Sequence, residues 1–302
     1  MKKNIVFMGT PEFSAYILNE LHKIHNITLV ITQTDKEVGR KKVLTYSPVK
    51  EMAINLGLEI AQPKSLKNNL EIINLLKDKK PDFIIVAAYG KILPKSILDI
   101  APCINTHASL LPLYRGASPI QSAILNSDNI SGVTIMRMDE GLDTGDILFQ
   151  ESLNIDSLNS KQVFEKMSIL SAQMLIKFLD NPSLYNPIKQ DDNKATYTKI
   201  IDKSDGLISL DNAKTIFQKY LAFYEWPGIF FENGLKLIEI DLNDETSDNK
   251  DGLILDIGKD YFILSCKKGT LKVYKLQAAG KKVLDAKSYL NGKRLKLGDY
   301  FA

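Results

Sequence analysis

The sequence predicts an open, mostly parallel α/β sheet followed by a small β-barrel. Three observations carry that reading. Short apolar runs alternate with longer amphipathic ones through the first half of the chain. The last third changes to short strands separated by Gly, Asn and Asp turns. Between the two lies a polar stretch with Pro182 and Pro187.

Residues 4–8 (NIVFM) and 27–32 (ITLVIT) are predicted strands, with a helix between them over about 11–24. Ser47-Pro48 opens a second helix, the serine as N-cap and the proline at the first helical position. Residues 66–79 repeat apolar side chains at helical spacing through Leu70, Ile73 and Leu76. Residues 82–88 (DFIIVAA) read as a buried strand and 103–106 as another, and such alternation calls for right-handed crossovers. Residues 133–138 and 147–153 add strands, and 160–179 form a long amphipathic helix. The expected boundaries are a first domain over 1–187, a linker over 188–206 and a second domain over 207–302. That last part holds one helix near 213–223 and then five strand-like runs (228–232, 235–240, 252–257, 261–266 and 270–276). An OB-type barrel is the size match.

Composition narrows the function. A content of 44% hydrophobic and 25% charged residues is enough for a sizeable core, which excludes a disordered chain. No apolar run approaches the roughly 18 residues of a membrane span, and MKKNIVFMGTPEF is too short in apolar residues for a signal peptide. A cytoplasmic, membrane-free protein is expected. Cys103 and Cys266 fit neither a disulfide framework nor a four-ligand zinc site, so no metal is expected. The net charge of +3 conceals an asymmetry: residues 261–302 carry ten Lys or Arg against Asp285 and Asp299, a local +8. Such a module is either a solvated lysine surface or a binder of polyanions.

Three stretches hold candidate chemistry. In INTHASLLPLYRGASPIQ (residues 104–121), Asn105 and His107 stand two apart at a strand end, so their side chains share a face. They are either a buried hydrogen-bonded pair or two donors for a developing oxyanion. In DEGLDTGD (139–146), the acidic spacing does not fit a calcium loop. Asp143, between two glycines, either fills an ordinary acidic turn or pairs with an imidazole. In DKEVGRKKVLTYSPVK (35–50), Gly39-Arg40-Lys41-Lys42 is a solvated loop or a phosphate contact. MGTPEFS has a single Gly9 and lacks the dinucleotide fingerprint, and no Walker pattern occurs.

In combination these stretches resemble the 10-formyltetrahydrofolate-dependent formyltransferases, and within them the methionyl-tRNA formyltransferase family. SLLPLYRGASPIQ is similar to the superfamily's signature, with Asn105-Thr106-His107 directly ahead of it. GVTIMRMDEGLDTGD is similar to its aspartate segment, which places the essential carboxylate at Asp143. FMGTPEF, GRKK, SPVK, VAAYGKILP, WPG and LQAAGKK resemble the tRNA-acting branch and extend the likeness over nearly the whole chain. Thr106 and Tyr46 depart from the family pattern.

The resemblance implies a Rossmann-like catalytic domain, an OB-like tRNA-binding domain and formyl transfer from 10-formyltetrahydrofolate to the methionine amino group of charged initiator tRNA. It implies catalytic roles for Asn105, His107 and Asp143, and a folate site at Ser109, Leu110, Leu111 and Pro112, with the turns at Tyr89 and Asp139 enclosing the pterin. It implies a tRNA surface made of Arg40, Lys41 and Lys42 with Lys281 and Lys282, on a monomer. Glycinamide ribonucleotide or an amino sugar nucleotide is the alternative acceptor, and a non-catalytic RNA-binding protein the alternative class. Neither small acceptor accounts for GRKK together with a basic C-terminal module.

Overall fold

The computed structural model describes residues 1–39 and 42–301. In chain order the elements are β1 (Asn4–Gly9), α1 (Glu12–Ile24), β2 (Asn26–Ile31), β3 (Lys36–Val38), β4 (Val43–Thr45), α2 (Pro48–Asn55), β5 (Ile60–Ala61) and α3 (Leu70–Asp78). They continue as β6 (Phe83–Ala87), α4 (Lys95–Leu98), β7 (Cys103–His107), β8 (Arg115–Gly116), α5 (Pro119–Leu125), β9 (Ile130–Arg137), β10 (Ile147–Asn154), α6 (Ser160–Asp180) and β11 (Tyr197–Thr198). Beyond these lie α7 (Ala213–Ala222), β12 (Ile229–Phe230), β13 (Lys236–Asp248), β14 (Ile254–Ile257), β15 (Phe262–Ser265), β16 (Lys268–Gln277), β17 (Leu284–Asp285) and α8 (Ala286–Lys293).

The chain divides into two units. The first comprises Met1–Pro119, Ile130–Asn154 and Val163–Lys199; the second comprises Ile120–Asn129, Ile155–Gln162 and the residues from Ile200 onward.

The first unit is built on a seven-stranded sheet in the order β10-β9-β7-β6-β1-β2-β5. The five strands from β5 to β7 pair in parallel, and β9 and β10 add an antiparallel edge. Ile5, Val6, Phe7 and Met8 of β1 are fully buried, as a central strand covered on both faces requires. Each such side chain contributes about 1.5–3 kcal/mol through burial. After β1 the chain fills one side with β2 and β5, then crosses to the other with β6 and β7. The strand order therefore reverses between β1 and β6, and their carboxyl ends flank a crevice suited to a ligand.

Gly9 permits the tight exit from β1. A Cβ there would lie 2.6 Å from Ser14 Cβ and 3.0 Å from the Ala87 carbonyl oxygen. Ser14, in the first turns of α1, donates from Oγ to that same Ala87 oxygen at 2.5 Å. Helix α1 buries Phe13, Ile17, Leu18 and Leu21 on one stripe and ends in His22 and Lys23, which complement its dipole. Helix α2 starts as expected, with Ser47 Oγ accepting from Lys50 N at 3.1 Å. Helix α3 begins four residues later than the expected 66 because Asn69 caps it, its side chain accepting from Ile72 N at 3.1 Å.

The expected linker is only partly a linker. Ile188 exchanges both backbone hydrogen bonds with Ile147 at 2.8 Å, and β11 pairs in parallel with β8. The chain is bound into the first unit through Lys199. These ties are polar and backbone-mediated, so they leave no apolar pattern in a sequence that reads as a linker.

The second unit is an antiparallel sheet in the order β12-β13-β16-β15-β14, with β17 on β16. Its core includes Leu237, Ile240, Phe262, Leu264, Leu271 and Val273. Strand β13 runs past the expected end at 240 to Asp248, through the polar run DLNDETSD. Pairing with β16 holds that extension, from Lys236 opposite Gln277 to Asp248 opposite Lys268, and Lys275 Nζ meets Glu239 Oε2 at 2.7 Å.

Candidate active site

Strand β7 delivers the two polar side chains at the carboxyl end of the sheet. Alternation puts Asn105 and His107 on one face, and Thr106 faces the other way, donating to Ser171 Oγ of α6 at 3.0 Å. Asn105 and His107 are 7% and 6% exposed, the low values expected inside a sheet with neighbours on both sides. Among the described residues, no group hydrogen-bonds the Asn105 carboxamide. The amide atoms keep contact with solvent, which leaves their donor and acceptor open to a ligand.

Both nitrogens of His107 face acceptors. Nε2 lies 3.0 Å from the Tyr114 carbonyl oxygen, and Nδ1 lies 3.6 Å from Asp143 Oδ2. A carbonyl only accepts, so Nε2 carries the hydrogen in the first contact. In a neutral ring Nδ1 is then bare, which fits the long separation from the carboxylate.

Asp143 comes from the loop between β9 and β10. It adopts a left-handed backbone with φ of 55°. Three bonds hold the loop there. Gly116 N donates to Asp143 Oδ2 at 2.8 Å, and Gln190 Nε2 donates to the carbonyls of Asp143 and Gly145 at 2.8 and 2.7 Å. Gly145 has no room for a side chain: a Cβ would come within 1.9 Å of the Arg137 carbonyl oxygen.

The segment from Ser109 to Pro112 is fixed by its surroundings. Thr134, opposite His107 on β9, donates from Oγ1 to Ser109 O at 2.6 Å and accepts from Leu111 N at 3.0 Å. Gln150 Nε2 donates both to Thr134 Oγ1 at 2.8 Å and to Leu111 O at 2.9 Å. Leu110 O accepts from Leu113 N, and Pro112 O from Thr196 N. Every carbonyl from Ser109 to Pro112 therefore already accepts an internal bond. A ligand at this wall would meet a rigid backbone, and few of its acceptors are unengaged.

Two other expected folate residues are placed differently from each other. The Tyr89 side chain is 1% exposed and sits in the sheet core, with its hydroxyl unpartnered and pushed up to about 12 by burial. Only its backbone faces the turn, where its carbonyl accepts from Thr10 Oγ1 and Gln33 Nε2 at 3.2 and 2.9 Å. Asp139 is exposed, and its Oδ1 accepts from Gly141 N and Thr144 Oγ1. It lines a cavity of about 570 Å³ with Cys103, Arg137 and Met138, beside the first residue of β7 and not its His107 end. Cys103 is a buried thiol pushed up to about 12, so it is no nucleophile.

Of the expected tRNA contacts, Arg40 and Lys41 lie outside the described residues. Lys42 is exposed, with Nζ 3.9 Å from Glu37 Oε2. Lys281 and Lys282 are exposed in the turn between β16 and β17 of the second unit. Among the described residues no cluster of three or more His, Cys, Asp or Glu could hold a metal ion, and no helix is long and apolar enough to cross a membrane.

Sequence reasoning missed Thr134, Gln150 and Gln190. Thr134 left a faint signal, a polar residue inside the apolar stretch VTIM of β9. The two glutamines left none.

Comparison with known proteins decides the family. Residues 2–178 match the family described as formyl transferase, and 200–294 match its C-terminal domain. The chain is 59% identical over 300 residues to the methionyl-tRNA formyltransferase of Campylobacter lari, covering 98% of this chain and 99% of that one. The chain belongs to the methionyl-tRNA formyltransferase family. A second member, from Campylobacter jejuni, is 53% identical over 302 residues with the same coverage. In fold, this formyltransferase is similar to HypX from Aquifex aeolicus, solved in complex with tetrahydrofolic acid. That likeness has a TM-score of 0.67 at 15% identity and covers 98% of this chain and 49% of the other.

Proposed function

We propose that this chain transfers the formyl group of 10-formyltetrahydrofolate to the α-amino group of methionine on initiator tRNA, for translation initiation. Near-full-length identity to methionyl-tRNA formyltransferases carries this reading. The small-amine alternatives are not favoured by relatives of that length and identity. The reading puts the protein in the cytoplasm, as a monomer that meets charged tRNA by diffusion.

The chemistry asks for positioning more than for a strong base. An α-amino group of ordinary basicity, about 7.7–8.0, is roughly a tenth to a sixth unprotonated at pH 7, so a usable share is already nucleophilic. Its nitrogen bonds to the formyl carbon as the bond from that carbon to the folate nitrogen breaks, and one proton must pass from the first nitrogen to the second. The formyl oxygen gains negative charge on the way. Asn105 supplies a donor with no competing internal partner. His107 supplies a second by exchanging its Nε2–H bond to the Tyr114 carbonyl for one to the formyl oxygen. The bare Nδ1, beside Asp143, is the place for the proton in transit.

The folate co-substrate fits the residues present: a carboxamide at Asn105 with no internal partner, and a fixed wall at Ser109, Leu110, Leu111 and Pro112. Tyr89 would contribute by its backbone. Arg40, Lys41 and Lys42, and separately Lys281 and Lys282, are assigned to tRNA phosphates on charge.

The test supplies formyl-labelled 10-formyltetrahydrofolate with Met-charged initiator tRNA or glycinamide ribonucleotide and counts label in each acceptor. Label on the tRNA alone is the expected result. Label on the small acceptor would overturn the assignment of substrate.

A further inference from the structure

We infer that Gln190 is a positioning residue for formyl transfer, one that couples the buried Arg115 to the loop carrying Asp143. The inference rests on Asp143 acting in the reaction.

Among the described residues between Asn181 and Asp205, Gln190 alone is buried; its neighbours on both sides are exposed. Its carboxamide is fully used. Oε1 accepts from Arg115 Nε at 3.0 Å and from Nη2 at 2.8 Å, and Nε2 donates to Asp143 O and Gly145 O. The forked guanidinium fixes which end of the amide is oxygen, because Arg has donors only. The amide therefore cannot flip, and its NH₂ end must meet the two loop carbonyls.

Arg115 is itself immobilised. It is 1% exposed, and it also reaches Asp192 Oδ1 at 2.8 Å through Nη2 and the Tyr197 hydroxyl at 3.2 Å through Nη1. The next residue, Gly116, donates its N–H to Asp143 Oδ2. Arg115 and Gly116 thus grip Asp143 twice, through the carboxylate directly and through the backbone by way of Gln190. The left-handed conformation of Asp143 is uncommon for a residue with a side chain and needs such support. Without the Gln190 clamp, the carboxylate would lose its fixed place beside His107 Nδ1.

Gln190→Glu separates this role from simple packing. A glutamate keeps the volume and the pairing with Arg115 but sets an acceptor against two carbonyls. The variant is expected to fold, with a circular-dichroism melt lowered by the two carbonyls left without a donor, so activity is read per folded molecule. Its kcat should fall about 10²-fold, the scale of a small misplacement, while KM for both substrates stays within about twofold. In an Asp143→Asn background, the same substitution should cost little more, because the group it positions is gone.

A full additional loss in that background, or a loss confined to KM, would overturn the inference, as would near-normal kcat in Gln190→Glu. Near-normal turnover in Asp143→Asn alone would overturn the assignment of the site and this inference with it. Should the glutamate variant fail to fold, Gln190→Met, which removes the NH₂ together with the acceptor of Arg115, is read by the same cycle as kcat per folded molecule.

Discussion

His107 and Asp143 approach to 3.6 Å through Nδ1 and Oδ2, while the other ring nitrogen is turned to the Tyr114 carbonyl at 3.0 Å. The imidazole is held between the Tyr114 turn and the carboxylate of Asp143. Asp143→Asn preserves the shape and leaves Gly116 N an acceptor, but it removes the charge. Formyl transfer should fall by about 10²–10⁴, the range of a lost acid–base group, with tRNA affinity and fold retained. Turnover close to normal would remove Asp143 from the mechanism.

Asn105 offers a sharper contrast between activity and stability. Its carboxamide bonds no described residue, so removing it strands no partner. Asn105→Ala should lower kcat by about 10²–10³, as loss of one oxyanion donor does. Its melting midpoint should move by less than about 4 °C, the shift that roughly 1 kcal/mol produces at this size. A collapse of stability with activity per folded molecule intact would show Asn105 to be structural.

Thr134 is predicted to behave in the opposite way. Its hydroxyl joins Ser109, Leu111 and Gln150 in one buried knot. Thr134→Val should cost about 1–3 kcal/mol in denaturant unfolding for the groups left unpaired. KM for the formyl donor should rise as the Ser109–Pro112 wall loosens, and Thr134→Ser should restore both. Unchanged KM in the valine variant would count against the wall as the folate contact.

His25 sets a pH dependence of stability. Burial holds its imidazole below the ordinary value of 6.5, with Asp180 pulling the other way. Its Nε2 is buried without a partner. The unfolded chain therefore binds the proton more readily than the folded one, and stability rises with pH through this window. The contribution is present above about 6.5, the unfolded value, and is lost as pH falls through the lower folded value. Thermal melts between pH 7.5 and 5.5 should show the loss in the native chain and less of it in His25→Phe. Parallel curves would exclude His25 as the source.

The proposed tRNA surfaces are tested by salt. Lys42→Ala, Arg40→Ala and the pair Lys281→Ala with Lys282→Ala should each weaken use of charged tRNA and leave folate KM nearly unchanged. The salt slope of tRNA binding should fall by about one for each phosphate that a variant no longer neutralises. An equal loss of folate affinity would refute the division of labour.

The sequence made the scaffold legible because its signals are apolar and periodic. Strands such as NIVFM and helices such as the one capped by Ser47 lie where their patterns put them. Asn105 and His107 were readable for a related reason: strand alternation fixes two residues on one face without knowledge of anything else. Gln190 was not readable. It stands in Gln-Asp-Asp-Asn, and what makes it important is a guanidinium distant in sequence and two carbonyls on another loop. The extension of β13 through Asp248 was hidden likewise, since cross-strand pairing supports it and hydropathy does not. The Tyr114 carbonyl at His107 is a backbone contact, which no side-chain pattern can announce.

The clamp at Asp143 has a consequence for synthesis. Gln190 follows the residue it fastens by 47 positions. At about 5–20 residues per second, a nascent chain carries its Asp143 loop unfastened for a few seconds before the ribosome adds the amide that secures it. By then the strands β9 and β10 on either side of that loop have already been made, so the sheet can form around a carboxylate not yet locked in place. A protein that prepares the first aminoacyl-tRNA for translation thus depends on translation of its own connecting segment to finish the site proposed at Asp143.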